Sequence, residues 1–153
     1  MARASKLRTS MRFAAFVLGC LVSFGAAAEF RSIAQNAAIL YDSPSTRGSK
    51  LYVVSRDLPV EIISTDGTWV KVRDANGDLA WIERTALSDK RTVIVMAAVA
   101  DVRKNPDSQS PLVFSAQQGV VLELQDNKIP GWLQVRHVDG STGYVRLNQV
   151  WGG

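Results

Sequence analysis

The sequence predicts an all-β chain built as two tandem small β-barrels packed together, and three observations predict it. Two stretches repeat one another at a nearly constant spacing. Each reads as short strands alternating apolar and polar residues. Asp-Gly and Asn-Gly dipeptides, which favour tight turns, part the strands. No amphipathic helical periodicity competes with this pattern beyond the N-terminal segment.

That segment sets the expected compartment. Arg3, Lys6, Arg8 and Arg12 precede an apolar run, Phe13 to Phe24, which ends in Gly25-Ala26-Ala27-Ala28. A basic start, an apolar middle and small residues at the end make a secretory signal peptide over residues 1–28, with cleavage expected between Ala28 and Glu29. The run is short of the roughly 20 apolar residues of a spanning helix. Val17-Leu18-Gly19-Cys20 loosely resembles a lipid-attachment motif, which would anchor the chain at Cys20; against it, the apolar run continues past the cysteine. The expected location is the periplasm.

Export changes the charge. Four of the 18 lysines and arginines lie in the signal segment, leaving 14 against 14 acids, so the basic pI is a targeting signal and not a nucleic-acid footprint. The single cysteine leaves with the same segment, so no disulfide framework or cysteine metal site is expected. His137 is the one histidine, too few for a zinc site. No cofactor is expected.

The repeat divides the remainder into a first copy, 29–90, and a second, 91–153. Pro44 matches Pro106, Leu51 matches Val113 and Glu61 matches Glu123, all at an offset of 62. One inserted residue then moves the offset to 63, at which Trp69-Val70-Lys71-Val72-Arg73 matches Trp132-Leu133-Gln134-Val135-Arg136 and Ala80-Trp81-Ile82 matches Gly143-Tyr144-Val145. In the first copy a strand around Val60–Thr65 runs to the Asp66-Gly67 turn, and Trp69–Arg73 follows as a half-buried strand. Asn76-Gly77 predicts a type I′ hairpin turn, with Leu79–Ile82 returning. In the second copy Val120–Leu124, Trp132–Arg136, the Asp139-Gly140 turn and Gly143–Val145 take the same parts. Arg84–Leu87 and Leu147–Val150 read as single turns capping each barrel. Ser88–Val93 is a polar connection too short to be a free tether, and Val93–Val99 reads as the first strand of the second barrel, buried against the first. Cores this small gain from packing on one another.

These residues resemble the bacterial SH3 (SH3b) family, and the resemblance covers nearly all of Ile33–Trp151. Val102-Arg103-Lys104-Asn105-Pro106 fits an early Asn-Val-Arg-x-Gly-Pro loop, with Asp101 for Asn and Asn105 for Gly. Leu40-Tyr41-Asp42-Ser43-Pro44-Ser45 fits it with Tyr-Asp for Val-Arg and Ser for Gly. Gly143-Tyr144-Val145 matches the family's last strand, and Ala80-Trp81-Ile82 does so with Ala for Gly. The resemblance implies SH3-like barrels that act as accessory binding modules.

The inventory of chemistry points away from an enzyme. A Cys–His hydrolase, the usual catalytic companion of such modules, needs a cysteine the exported part lacks. Nothing around His137 forms a nucleophile elbow, and it is expected as an exposed strand-end histidine. The carboxylates are scattered among turns, and no phosphate-binding glycine loop is present. Aromatic residues recur instead: Trp69, Trp81, Trp132 and Tyr144 at paired places, with Tyr41, Tyr52 and Phe114 besides. Trp81 and Tyr144, in the last strands, are expected to serve the cores, while Trp69 and Trp132 follow turns and are expected partly buried. The candidate ligand site is therefore Tyr41, Trp69, Arg73, Trp81, Trp132, Arg136 and Tyr144. There aromatic faces would meet sugar rings or an extended peptide, and the paired arginines would meet carboxylates, if they are not simply solvated strand edges. The expected partner is peptidoglycan or an envelope protein, and the competing function is a protein–protein scaffold.

Overall fold

The computed structural model of the protein describes residues 27–153. The expected lipid anchor at Cys20 and all but the end of the signal peptide lie outside them. The first copy holds β1 (Glu29–Ile33), β2 (Ala38–Tyr41), β3 (Lys50–Val54), β4 (Pro59–Asp66), β5 (Trp69–Arg73), β6 (Leu79–Glu83) and β7 (Leu87–Ser88). The second holds β8 (Thr92–Val95), β9 (Val99–Arg103), β10 (Leu112–Gln117), β11 (Val121–Asp126), β12 (Trp132–Arg136), β13 (Thr142–Arg146) and β14 (Val150–Trp151). Short 3₁₀ turns, Arg84–Ala86 and Leu147–Gln149, lead into β7 and β14, where the sequence places capping turns. Among the described residues no helix is long and apolar enough to cross a membrane.

Each copy is a seven-stranded antiparallel sheet, ordered β3-β2-β6-β5-β4-β1-β7 in the first and β10-β9-β13-β12-β11-β8-β14 in the second. The two orders are the same, so the fold is two tandem SH3-like barrels. The repeat reaches further back than the sequence shows. Arg31 pairs with Val60 as Val93 pairs with Leu122, which aligns β1 with β8 at the same offset although few side chains agree. The pairings Tyr41 with Trp81 and Arg103 with Tyr144 put Tyr41 at the place of Arg103. Leu40-Tyr41, not Tyr41-Asp42, therefore stands for Val-Arg in the loop motif.

Strand parity builds the cores. Val70, Val72, Ala80 and Ile82 point inward with Ile33, Leu40 and Val60, and Leu133, Val135 and Val145 do so with Val93, Val102 and Leu122. The residues between them must then face outward, which overturns the expectation that Trp81 and Tyr144 serve the cores. Both are half-buried on the outer face.

Two further expectations are corrected. Val93–Val99 is not one strand: β8 ends at Val95, and a bend at Ala97-Ala98 precedes β9. The Asn76-Gly77 hairpin is not type I′. Gly77 donates to the Asp74 carbonyl at 3.1 Å and alone has positive φ, +92°, so a type I turn is followed by a left-handed glycine. Gly140 repeats this, donating to His137 at 2.9 Å with φ +90°.

The copies meet through β1 and β8. Phe30 stands edge-on to Trp151 at 5.0 Å, and the Arg91 guanidinium lies 5.5 Å from the Phe30 ring centre. Arg91 also donates to the Gly152 carbonyl at 3.0 Å. Lys90 pairs with Asp57 of the first copy at 3.3 Å and with Glu123 of the second at 3.6 Å. Val93 and Val95 themselves face the second core; Thr92, between them and the first copy, makes the cross-junction contact.

Candidate functional site

The outward faces of β5–β6 and β12–β13 carry most of the expected site residues, because each large aromatic sits one residue away from an inward Val, Ile, Ala or Leu. Trp132 lies opposite Arg146, Gln134 opposite Tyr144 and Arg136 opposite Thr142. In the first copy Trp69 lies opposite Glu83, Lys71 opposite Trp81 and Arg73 opposite Leu79.

The two faces differ in what covers the rings. In the first copy Tyr41, only 8% exposed, stands edge-on to Trp69 with ring centres 5.4 Å apart and planes at 90°. The Lys71 ammonium lies 5.8 Å from the centre of Trp81. In the second copy Trp132, Tyr144 and Gln134 line an open cavity of about 160 Å³ with Asp126, Lys128 and Ile129. The Arg146 guanidinium lies 4.9 Å from the Trp132 ring centre without lining that cavity. Asp126 accepts the backbone N–H of Lys128 at 2.7 Å, and this bond above all holds its carboxyl below the usual carboxylate range.

The paired arginines each hold a glutamate across the strands. Arg73 binds Glu61 at 3.1 Å and Arg136 binds Glu123 at 2.8 Å, and in each pair the two residues lie directly opposite across the strands. Arg136 also lines a larger cleft, of about 350 Å³, between the copies, where Asp57, Lys90, Glu123 and His137 gather. His137 is half-buried rather than exposed: its ring lies 5.6 Å from Phe114 and its Nδ1 is 3.2 Å from Asp139.

The structure thus groups Trp132 and Tyr144 in a cavity, groups Tyr41 with Trp69, sets Trp81 under Lys71, and turns Arg73 and Arg136 onto their own glutamates. Gln134, Asp126, Lys128 and Ile129 escaped sequence reasoning. The signal that marks them is the change of offset. Ser64 pairs with Lys71 and Asp126 with Gln134, so the inserted residue falls in the β11–β12 turn that carries Lys128 and Ile129. Among the described residues no cluster of three or more His, Cys, Asp or Glu side chains is placed to hold a metal ion.

Comparison with solved structures finds NlpC2 from Trichomonas vaginalis at 13% identity and a TM-score of 0.39, covering 81% of this chain and 48% of that one. NlpC1 from the same organism matches at 15% identity and a TM-score of 0.39, covering 84% and 47%. An NlpC/P60 family protein from Bacillus cereus matches at 15% identity and a TM-score of 0.37, covering 80% and 55%. The chain therefore spans about half the length of the solved structures it matches. No curated protein matches it. The family model described as bacterial SH3 domain matches residues 34–89 and again 97–152. With these two matches and the same strand order in both copies, the chain belongs to the bacterial SH3 domain family, as two tandem copies.

Proposed function

We propose that the protein is a non-catalytic module of the periplasm that recognises peptidoglycan or an envelope peptide. Bacterial SH3 domains are typically cell-wall-binding modules, which supports the class of partner. The observation that carries the reading is the outward placement of Trp132 and Tyr144 around a cavity with polar side chains at its rim. Rings needed only for the core would point inward, and the cores are filled by aliphatic residues instead. Export by cleavage between Ala28 and Glu29 belongs to the same proposal, and Glu29 is the first residue of β1, so cleavage there spares the fold.

The test is co-sedimentation of the mature chain, Glu29–Gly153, with purified peptidoglycan sacculi at low and moderate salt. Retention that survives salt and falls on Trp132→Ala supports the reading, whereas protein left wholly in the supernatant sinks it. The mass of the protein recovered from the periplasm reads the cleavage directly.

A second reading, an adaptor that docks on another envelope protein, is favoured by the sheet edges. β3 and β10 end their sheets and expose Leu51, Tyr52 and Val53 in one copy and Leu112 and Val113 in the other. Capture of one envelope protein, lost on Val53→Lys, would support it.

A further inference from the structure

We infer that the second copy alone carries a subsite for a single pyranose ring, seated between Trp132 and Tyr144 and held at its hydroxyls by Gln134 and Asp126. The inference rests on the envelope-binding reading and narrows it to the glycan.

The asymmetry between the copies is the first argument. Trp69 and Trp81 occupy the places of Trp132 and Tyr144, yet Tyr41 packs edge-on to Trp69 and the Lys71 ammonium lies over Trp81, whereas in the second copy the Arg146 guanidinium lies over Trp132 without lining the cavity. In the second copy Arg103 stands where Tyr41 would, and it is turned away: it donates to the Ser110 carbonyl at 2.9 Å and to Asp101 at 2.8 Å. Gln134 replaces Lys71 and brings no cation over Tyr144. The residue inserted in the β11–β12 turn then raises a wall, Lys128 and Ile129, that the first copy lacks. Three separate changes set the cavity of the second copy apart from the matching face of the first.

The chemistry of the cavity is the second argument. At about 160 Å³ it is smaller than the roughly 300–1,000 Å³ that encloses a drug-sized ligand, and it suits one ring open to solvent. Trp132, with the Arg146 guanidinium 4.9 Å from its ring centre, and Tyr144 offer aromatic surface to the C–H groups of a sugar. The Gln134 amide both donates and accepts, and the Asp126 carboxylate, which already takes the Lys128 backbone N–H at 2.7 Å and stands 3.5 Å from the Lys128 ammonium, has lone pairs left to accept a hydroxyl. An extended peptide fits less well, because β12 is hydrogen-bonded to β11 on one side and β13 on the other and offers it no strand edge.

The test is a nuclear magnetic resonance titration of the purified protein with N,N′-diacetylchitobiose, with cellobiose and a soluble alanyl-glutamyl-lysyl-alanine peptide as parallel arms. The expected result is a shift of the Trp132 indole and Gln134 side-chain amide with the chitobiose, and none at Trp69 or Trp81. Trp132→Ala and Gln134→Ala each weaken binding about tenfold, and Trp69→Ala leaves it unchanged. Gln134 is half-buried on the outer face, so Gln134→Ala keeps the test open should Trp132→Ala fail to fold. A stronger response to cellobiose keeps the ring subsite and takes its ligand from outside the N-acetylated glycans. Shifts at the first copy's rings, or a response to the peptide alone, overturn the inference. Absence of any saccharide shift while sacculi still sediment the protein overturns it and leaves the envelope-binding reading standing. If neither sacculi nor saccharide bind, both fall.

Discussion

Thr92 donates its hydroxyl to the backbone carbonyl of Asp57 at 2.6 Å, tying the first strand of the second copy to the β3–β4 turn of the first. Thr92 is 1% exposed, so no water replaces that bond when it is lost. Thr92→Val keeps the shape and removes the donor, and an acceptor left without its bond in a dry junction costs about 1–3 kcal/mol. The denaturation midpoint should fall by that equivalent. An unchanged midpoint would show that the junction contributes nothing to stability.

Asp57 itself holds a left-handed backbone, with φ +68°, at the place where the second copy has Gly119 with φ +87°. A side chain in that conformation costs roughly 1–2 kcal/mol relative to glycine. The ion pair with Lys90 at 3.3 Å is solvent-exposed and offsets little of it. Asp57→Gly is therefore expected to be more stable than Asp57→Ala by about 1 kcal/mol. Equal melting temperatures for the two variants would contradict the strain.

Gly143 shows why the second copy keeps the family's glycine where the first has Ala80. A Cβ on Gly143 would stand 2.6 Å from the Arg103 carbonyl oxygen and 2.7 Å from a Val102 methyl. The carbonyl belongs to β9 and cannot swing aside. Gly143→Ala should cost about 1–3 kcal/mol, as overpacking of a filled core does, and broaden the amide signals of β9 and β13. A neutral substitution would mean that the strands part freely.

Acid should loosen the second copy through Glu123. Its burial favours the protonated form, but hydrogen bonds from Gln125 and Arg136 and the charges of Arg136 and Lys90 outweigh that, and the carboxyl sits below its ordinary 4.5. A carboxyl depressed in the folded state contributes stability that is complete above its unfolded value and is lost as pH falls through the folded one. Arg136→Gln removes a hydrogen bond and a charge, so the loss of stability below about pH 4.5 should become shallower. Melting curves across the acid range check this, and an identical slope in the variant would refute the assignment.

Much of the fold was legible because its signals are local. The alternation Trp69-Val70-Lys71-Val72-Arg73 fixes two faces whatever surrounds the strand, and Asp-Gly and Asn-Gly fix where chains reverse. Which face is inside is less legible, since both hold apolar residues. Val70 and Val72 with Ala80 and Ile82 fill a small barrel, and the larger Trp69 and Trp81 do not fit there together. β1 escaped detection because Phe30 and Thr92, its partner in the repeat, serve the junction and share no chemistry.

By itself the sequence determined two copies, an all-β class and the strands that carry the rings, because repeat, parity and turn residues act within a few positions of chain. Only the tertiary structure decided that Tyr41 packs on Trp69 while Arg103 turns to Ser110 and Asp101, and that Arg73 and Arg136 bind their own glutamates. Those outcomes depend on contacts between strands distant in sequence, where one side chain's reach and charge settle whether a matched position is filled or vacant.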